Sequence, residues 1–223
     1  MSPCPAETFP TLAALPFLRA AFIQRCPDVD VRTDRETAMQ RLWSVQRKTA
    51  DELGFCGMPF VTAEQVHGNI IAQIDAPASL PAPGADGLIT STPGLCLAIS
   101  VADCAAVFLA DKHARAIALV HSGKKGTELG IVPKAIHALR ENSGIAPADL
   151  VIQIAPCIRP PHYEWDFAAE IVRQARAAGV SDVHDCGTCT ASDPEKYYSY
   201  RREKGRTGRL LALLALTTPA SVM

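Results

Sequence analysis

No stretch of this 223-residue chain approaches the roughly 20 consecutive apolar residues that a membrane-crossing helix requires, so the sequence offers no such helix. The opening MSPCPAETFP lacks the basic and apolar segments of a secretory leader, and the expected location is the cytoplasm. A net charge of −1 provides no global basic field; it argues against nucleic acid and membrane as partners and leaves room only for local anion sites. Gly/Ser tracts, charge blocks and fixed-period repeats are missing, and the 17 prolines are dispersed. With no linker to divide it, the chain is expected to form a single domain over residues 1–223 with a substantial core. Nothing in the pattern sets an oligomeric state.

Cysteine, by contrast, is present eight times. The chain is too long and too apolar to need a disulfide framework, so reduced thiols are expected, most of them as small core residues. Cys186-Gly-Thr-Cys189 has the spacing of a metal knuckle or a redox pair. No second pair completes a four-cysteine site, and a structural or incidental pairing is expected.

The segment from Leu97 to Gly126 carries the densest chemistry. Two apolar runs, Ala105–Ala110 and Ala116–Val120, flank the polar insert Asp111–Arg115, which predicts a buried hairpin. A loop over Asp111–Ala114 would pair Ala110 with Arg115 and set Cys104 directly opposite His121. Cross-strand partners on one face have Cβ atoms about 4.5–5.5 Å apart, close enough for a thiolate and an imidazole to share a proton or a metal ion. After His121, Ser122–Thr127 places two glycines around Lys124 and Lys125. This is either a local anion site or a glycine turn with two exposed lysines.

The remaining pattern interleaves strands and helices, so the class is mixed α/β of the α+β type. A short strand should end near Arg25, and DVDVRTD (Asp28–Asp34) reads as a charged loop or an edge strand. Helical spacing of apolar residues predicts an amphipathic helix over 35–53, capped by Asp34 or Thr33 and stopped by Gly54. Extended stretches follow at 60–65, 70–74 and 88–90. His67-Gly68 lies between the first two, where a ligand could approach backbone or where a loop histidine could simply be satisfied. Helices are expected at about 130–141 and 166–178, and strands at 151–154, 180–183 and 210–216. Tyr197–Arg202 and Thr207-Gly208-Arg209 bring arginines beside aromatics, which suits stacking on a base, holding an anion, or plain surface charge.

Six motifs, taken in order, resemble the laccase-domain family, also called multicopper polyphenol oxidases or YfiH-like proteins. They are EQVHG (64–68), GADGLIT (84–90), ADC (102–104), the histidine of HSG (121), APCI (155–158), and YYSYRR with TGR. The resemblance spans about 60–216. It implies a layered domain with mixed β-sheets flanked by helices, and purine nucleoside phosphorylase or adenosine deaminase activity. It further implies one zinc ion on His67, Cys104 and His121. Such a His₂Cys set leaves an open position, and zinc there can lower the pKa of bound water towards about 7. Cys104 and His121 are thereby the expected catalytic residues. Phosphorolysis implies a purine nucleoside and phosphate as partners, with Arg25, Lys125, Arg201 and Arg202 as candidates to hold the phosphate. Copper is not expected, because a multicopper site needs more histidines than the six present.

The chain departs from the family where HAGWRG becomes HSGKKG, replacing a Trp and an Arg by Lys124 and Lys125, and where Ala155 stands for a glycine. Two other readings stay open: a metal-free hydrolase or deamidase with Cys104 as nucleophile and His121 as base, and a zinc-containing binding protein without turnover.

Overall fold

Eleven strands pair into two mixed sheets, as the computed structural model, which describes residues 3–217, shows. Residues 1–2 and 218–223 of the expected 1–223 unit lie outside the described residues. The strands in chain order are β1 (Ala6–Glu7), β2 (Leu18–Ile23), β3 (Phe60–Thr62), β4 (Ile71–Gln73), β5 (Gly87–Thr90), β6 (Cys96–Val101), β7 (Ala105–Asp111), β8 (Ile117–Ser122), β9 (Leu150–Ile154), β10 (Asp182–Asp185) and β11 (Leu210–Leu216). The first sheet runs β1-β2-β11-β6-β3 and the second β10-β9-β7-β8-β5-β4. Three pairs, β3 with β6, β4 with β5 and β9 with β10, are parallel, and the other strand pairs are antiparallel.

Helices α1 (Pro10–Ala13), α2 (Arg35–Ala50), α3 (Lys124–Glu128), α4 (Ile131–Ser143) and α5 (Phe167–Ala177) complete the architecture. Helix α2 begins where Asp34 accepts the Thr37 N–H at 3.0 Å, and it widens into a final π-type turn over Asp51–Phe55, in which Gly54 leaves the helical conformation at φ 90°. Successive residues of β7 face different layers. Ala106, Phe108 and Ala110 join the core shared with β2, β6, β11 and α2, while Ala105, Val107 and Leu109 pack with α4 and α5. Both faces of β7 are therefore apolar, which is why it reads as a continuous run rather than an alternating one.

The hairpin forms in a register different from the expected one. Ala110 pairs with Ile117 and Ala106 with His121, and the loop is Lys112–Arg115. The physical reason is Asp111. Fully buried, it ends the strand and accepts the backbone N–H of Arg115 at 2.9 Å and its guanidinium at 2.9 and 2.7 Å. The change preserves the face of every side chain, so Cys104 and His121 become diagonal rather than direct neighbours.

The expectation of fully reduced thiols is corrected as well. Cys4 and Cys26 form a disulfide, because β1–β2 pairing of Glu7 with Phe22 brings their two ends together. Cys56, Cys96, Cys104, Cys157, Cys186 and Cys189 are free. Residues Lys124–Glu128, expected as part of a glycine loop, are helical, with Gly123 as the residue before the first turn.

Candidate metal centre and its cavity

Cys104 sits in the turn Ala102–Cys104, where the chain leaves β6 of one sheet and enters β7 of the other. His121 is the penultimate residue of the neighbouring β8. His67 belongs to the loop after β3. The three side chains, far apart in sequence, bring one ligand atom each to within 4.8 Å of one another. The His67 and His121 rings meet edge to face, 4.9 Å between centroids. Two imidazole nitrogens and one thiolate make a donor set suited to a divalent ion of borderline softness, with a position left for a further ligand.

Asp86 organises this cluster. Wholly buried immediately before β5, it accepts from the His67 and Gly68 N–H groups at 2.9 and 2.6 Å and meets His121 Nδ1 at 2.8 Å. Its backbone carbonyl also takes the His121 N–H at 2.7 Å. Holding Nδ1 directs Nε2 of His121 towards Cys104, the arrangement by which carboxylates orient metal-bound histidines. Gly123 supplies the space: a Cβ on it would stand 2.5 Å from Cys104 Sγ.

The electrostatics follow from these contacts. Burial raises the Cys104 thiol, but hydrogen bonds and charge from His121 and His67 outweigh it and bring the group down to about 6. Burial lowers His121, yet Asp86 and Cys104 raise it to about 9. Burial also raises Asp86, and its bonds from His121, Gly68 and His67 more than offset that, so its pKa lies below the usual carboxylate range. These directions favour a thiolate and an imidazolium, backed by a carboxylate, at neutral pH in the metal-free cluster.

Backbone strain gathers around the same point. Gln65, His67 and Asp103 have φ of 62°, 61° and 82°, values that non-glycine residues hold only when their surroundings enforce them. For Gln65 the enforcement is a pair of bonds to Ser100, at 2.6 and 3.0 Å, that fastens this loop to β6. For Asp103 it is three donors on its carboxylate: Thr190 Oγ1 at 2.7 Å, Ser199 Oγ at 3.1 Å and the Arg201 N–H at 2.7 Å.

The cluster opens into a cavity of about 510 Å³, within the range of small-ligand sites. Tyr163, Phe167 and Tyr200 give it aromatic wall, and Arg35, Lys124, Arg201 and Arg209 give it positive charge. Of the four phosphate-holding candidates read from the sequence, only Arg201 lines it. The Arg25 guanidinium instead reaches Glu203 at 2.7 Å and the Tyr197 carbonyl at 3.0 Å, and lies over the Tyr198 ring. Arg202 donates to the Ala191 carbonyl at 2.7 Å, and Lys125 is exposed on α3 away from the lining. Cys186 and Cys189 contribute to no metal cluster among the described residues; Cys189 Sγ accepts the Arg159 N–H at 3.3 Å. Asp86, Gly123 and Arg35 were not singled out for these roles from the sequence, whereas Lys124 was read there as part of a possible local anion site. The signal for Asp86 was its place in GADGLIT, a carboxylate between glycines opening an apolar strand.

Comparison with known proteins follows the same lines. A family model described as multi-copper polyphenol oxidoreductase laccase matches residues 31–169 and 162–217. A Deinococcus radiodurans protein named purine nucleoside phosphorylase is 31% identical over 246 residues, covering 92% of this chain and 95% of its own length. One of the same name from Corynebacterium glutamicum is 34% identical over 209 residues, covering 81% and 84%. The crystal structure of YlmD from Geobacillus stearothermophilus superposes with a TM-score of 0.83 over 94% of each chain at 24% identity, a likeness of fold.

Proposed function

Because this chain belongs to the multi-copper polyphenol oxidoreductase laccase family, we propose that it is a zinc-dependent purine nucleoside phosphorylase acting on adenosine, inosine or methylthioadenosine. Deamination of adenosine is a second activity open to the same site. The observation that carries the reading is the convergence of His67, Cys104 and His121 on the floor of a cavity with both aromatic and cationic walls. His67, Cys104 and His121 would hold a single zinc ion, and zinc there would supply a Lewis acid. Tyr163, whose ring already carries the Arg201 guanidinium over one face, and Tyr200 supply aromatic wall against which a purine packs. The cationic wall holds phosphate against C1′ of the ribose, and its negative charge is better stabilised there than in water. The whole chain acts as one domain, since residues of both sheets build the site, and the cytoplasm is the proposed location.

The test is to incubate purified protein with each nucleoside, with and without phosphate, and to separate the products alongside metal analysis. Expected are near-stoichiometric zinc and free base formed only with phosphate; inosine from adenosine without phosphate marks deamination. Zinc-replete protein that yields no product under either condition overturns the proposal.

The Cys104–His121–Asp86 alignment favours a second reading, a metal-free acyl-transfer enzyme with nucleophile, base and orienting carboxylate. In zinc-stripped protein, alkylation of Cys104 by iodoacetamide should rise through pH of about 6, because the thiol is deprotonated above that value and protonated below it. Restoring zinc should protect it. Loss of all nucleoside turnover on stripping supports the zinc reading, whereas stripped protein that still hydrolyses an acyl substrate, and stops on alkylation, replaces it.

A further inference from the structure

The cavity is lined by two pairs of cations, and they differ in how they are neutralised. In one, Lys124 and Arg201 share Glu164, at 3.7 and 3.2 Å, and the Arg201 guanidinium lies 4.7 Å over the Tyr163 ring. In the other, Arg35 and Arg209 line the wall, and neither has a carboxylate ion-pair partner among the described residues. Arg209 Nη1 donates to the carbonyls of Thr207 and Gly208, at 3.2 and 2.9 Å, and no partner among the described residues takes up its Nε and Nη2.

The position of Arg209 is built in. Gly208 is pressed against the Tyr198 ring so closely that a Cβ there would meet Cζ at 2.6 Å, and this fixes the backbone that carries the guanidinium. Arg35 is the first residue of α2, the helix end at which a positive side chain is disfavoured by the dipole. Burial and the Arg35 charge both lower the Arg209 pKa, while Cys104, Tyr200 and Asp103 oppose that. Arg35 and Arg209 thus line the same cavity as Cys104. Two like-charged guanidiniums lining one cavity, one of them at the first residue of a helix, would be stabilised by an anion between them.

We infer that Arg35 and Arg209 form an oxyanion site in this cavity that takes inorganic phosphate, leaving the Tyr163–Arg201 side for the nucleoside. This assignment rests on the phosphorylase reading for the role of the anion, though not for its binding. The forked N–H donors of two guanidiniums match a phosphate's oxygens, a fit that lysine reproduces only as point charge.

The experiment is calorimetric titration of the full-length, zinc-loaded protein with inorganic phosphate, and separately with adenosine 5′-monophosphate, in the parent and in Arg35→Gln, Arg209→Lys and Arg201→Gln. Arg35→Gln removes an exposed side chain at a helix start, so folding is expected to survive even where Arg209→Lys perturbs its neighbours. The expected result is a rise in the phosphate Kd of roughly ten- to a hundredfold in Arg35→Gln, with a smaller rise in Arg209→Lys and in Arg201→Gln. Parent-like phosphate binding in both Arg35→Gln and Arg209→Lys overturns the assignment. So does a loss confined to the monophosphate, which would mark a substrate phosphate instead. A parent that binds phosphate through Arg35 yet releases no free base supports the anion site while removing the phosphorylase reading. Phosphorolysis whose phosphate dependence is unchanged in Arg35→Gln removes the anion site alone.

Discussion

Asparagine in place of Asp86 is expected to lower zinc retention and nucleoside turnover together while the chain stays folded. One carboxylate oxygen serves both His121 Nδ1 and the His67 N–H, and the other serves the Gly68 N–H. An amide has a single acceptor. If its oxygen faces the two histidines, its NH₂ opposes the Gly68 N–H, a buried mismatch costing about 1–3 kcal/mol. If it turns over, the NH₂ faces His121 Nδ1, which must then accept, and the ring proton moves to Nε2, the nitrogen that would bind metal. Either way zinc affinity should fall roughly 10–100-fold, as it does when other orienting partners are lost. Competition with a chelator measures the affinity, and a denaturant melt measures the stability. Full zinc retention with parent-like kcat/KM would show that Asp86 is not the organiser described above.

Alanine at Gly123 should be nearly as damaging by a different route. With φ −96° and ψ −168°, the Gly123 backbone is one that alanine adopts without strain, so the effect must come from contact alone. The new methyl would lie 2.5 Å from Cys104 Sγ and 3.9 Å from His67 Cδ2. The thiol has to rotate or the strand end has to shift, with about 1–3 kcal/mol of lost stability and loss of most bound zinc. Stability resolves the cause. In a Cys104→Ala background the clash with sulfur is gone, and Gly123→Ala should then cost markedly less, a coupling that a double-mutant cycle reads directly. Equal costs in the two backgrounds would mean that Gly123 matters for some reason other than room for the thiol.

The elements that the sequence foretold are those whose determinants are local. Helix α2 has its cap in Asp34 and its stop in Gly54, and α5 is bounded by Asp166 and Gly179. β7, β9 and β11 are buried along their whole length and could be little else. The hairpin register was misread because a charged residue usually belongs to a loop, whereas Asp111 is buried against its own Arg115. The Cys4–Cys26 bridge depends on strand pairing that spacing alone does not reveal. At the site, the histidines and the cysteine were legible through their motifs. The cations were legible only in part, with Arg201, Lys124 and Arg209 marked and Arg35 missed, because an arginine's role is decided by whether a carboxylate reaches it first. Glu203 claims Arg25, and among the described residues no carboxylate claims Arg35.

That Cys104 occupies the turn between the two sheets has a consequence for how errors in the fold are felt. His67 follows a strand of the first sheet, His121 lies one residue from the end of a strand of the second, and Cys104 is the hinge-pin between them. A slip of one sheet over the other, too small to open the core, would pull the three donors out of mutual reach. The cluster thus works as a gauge of inter-sheet alignment, and substitutions in the middle of the core, at Phe108 or Leu213, can detune it without touching it.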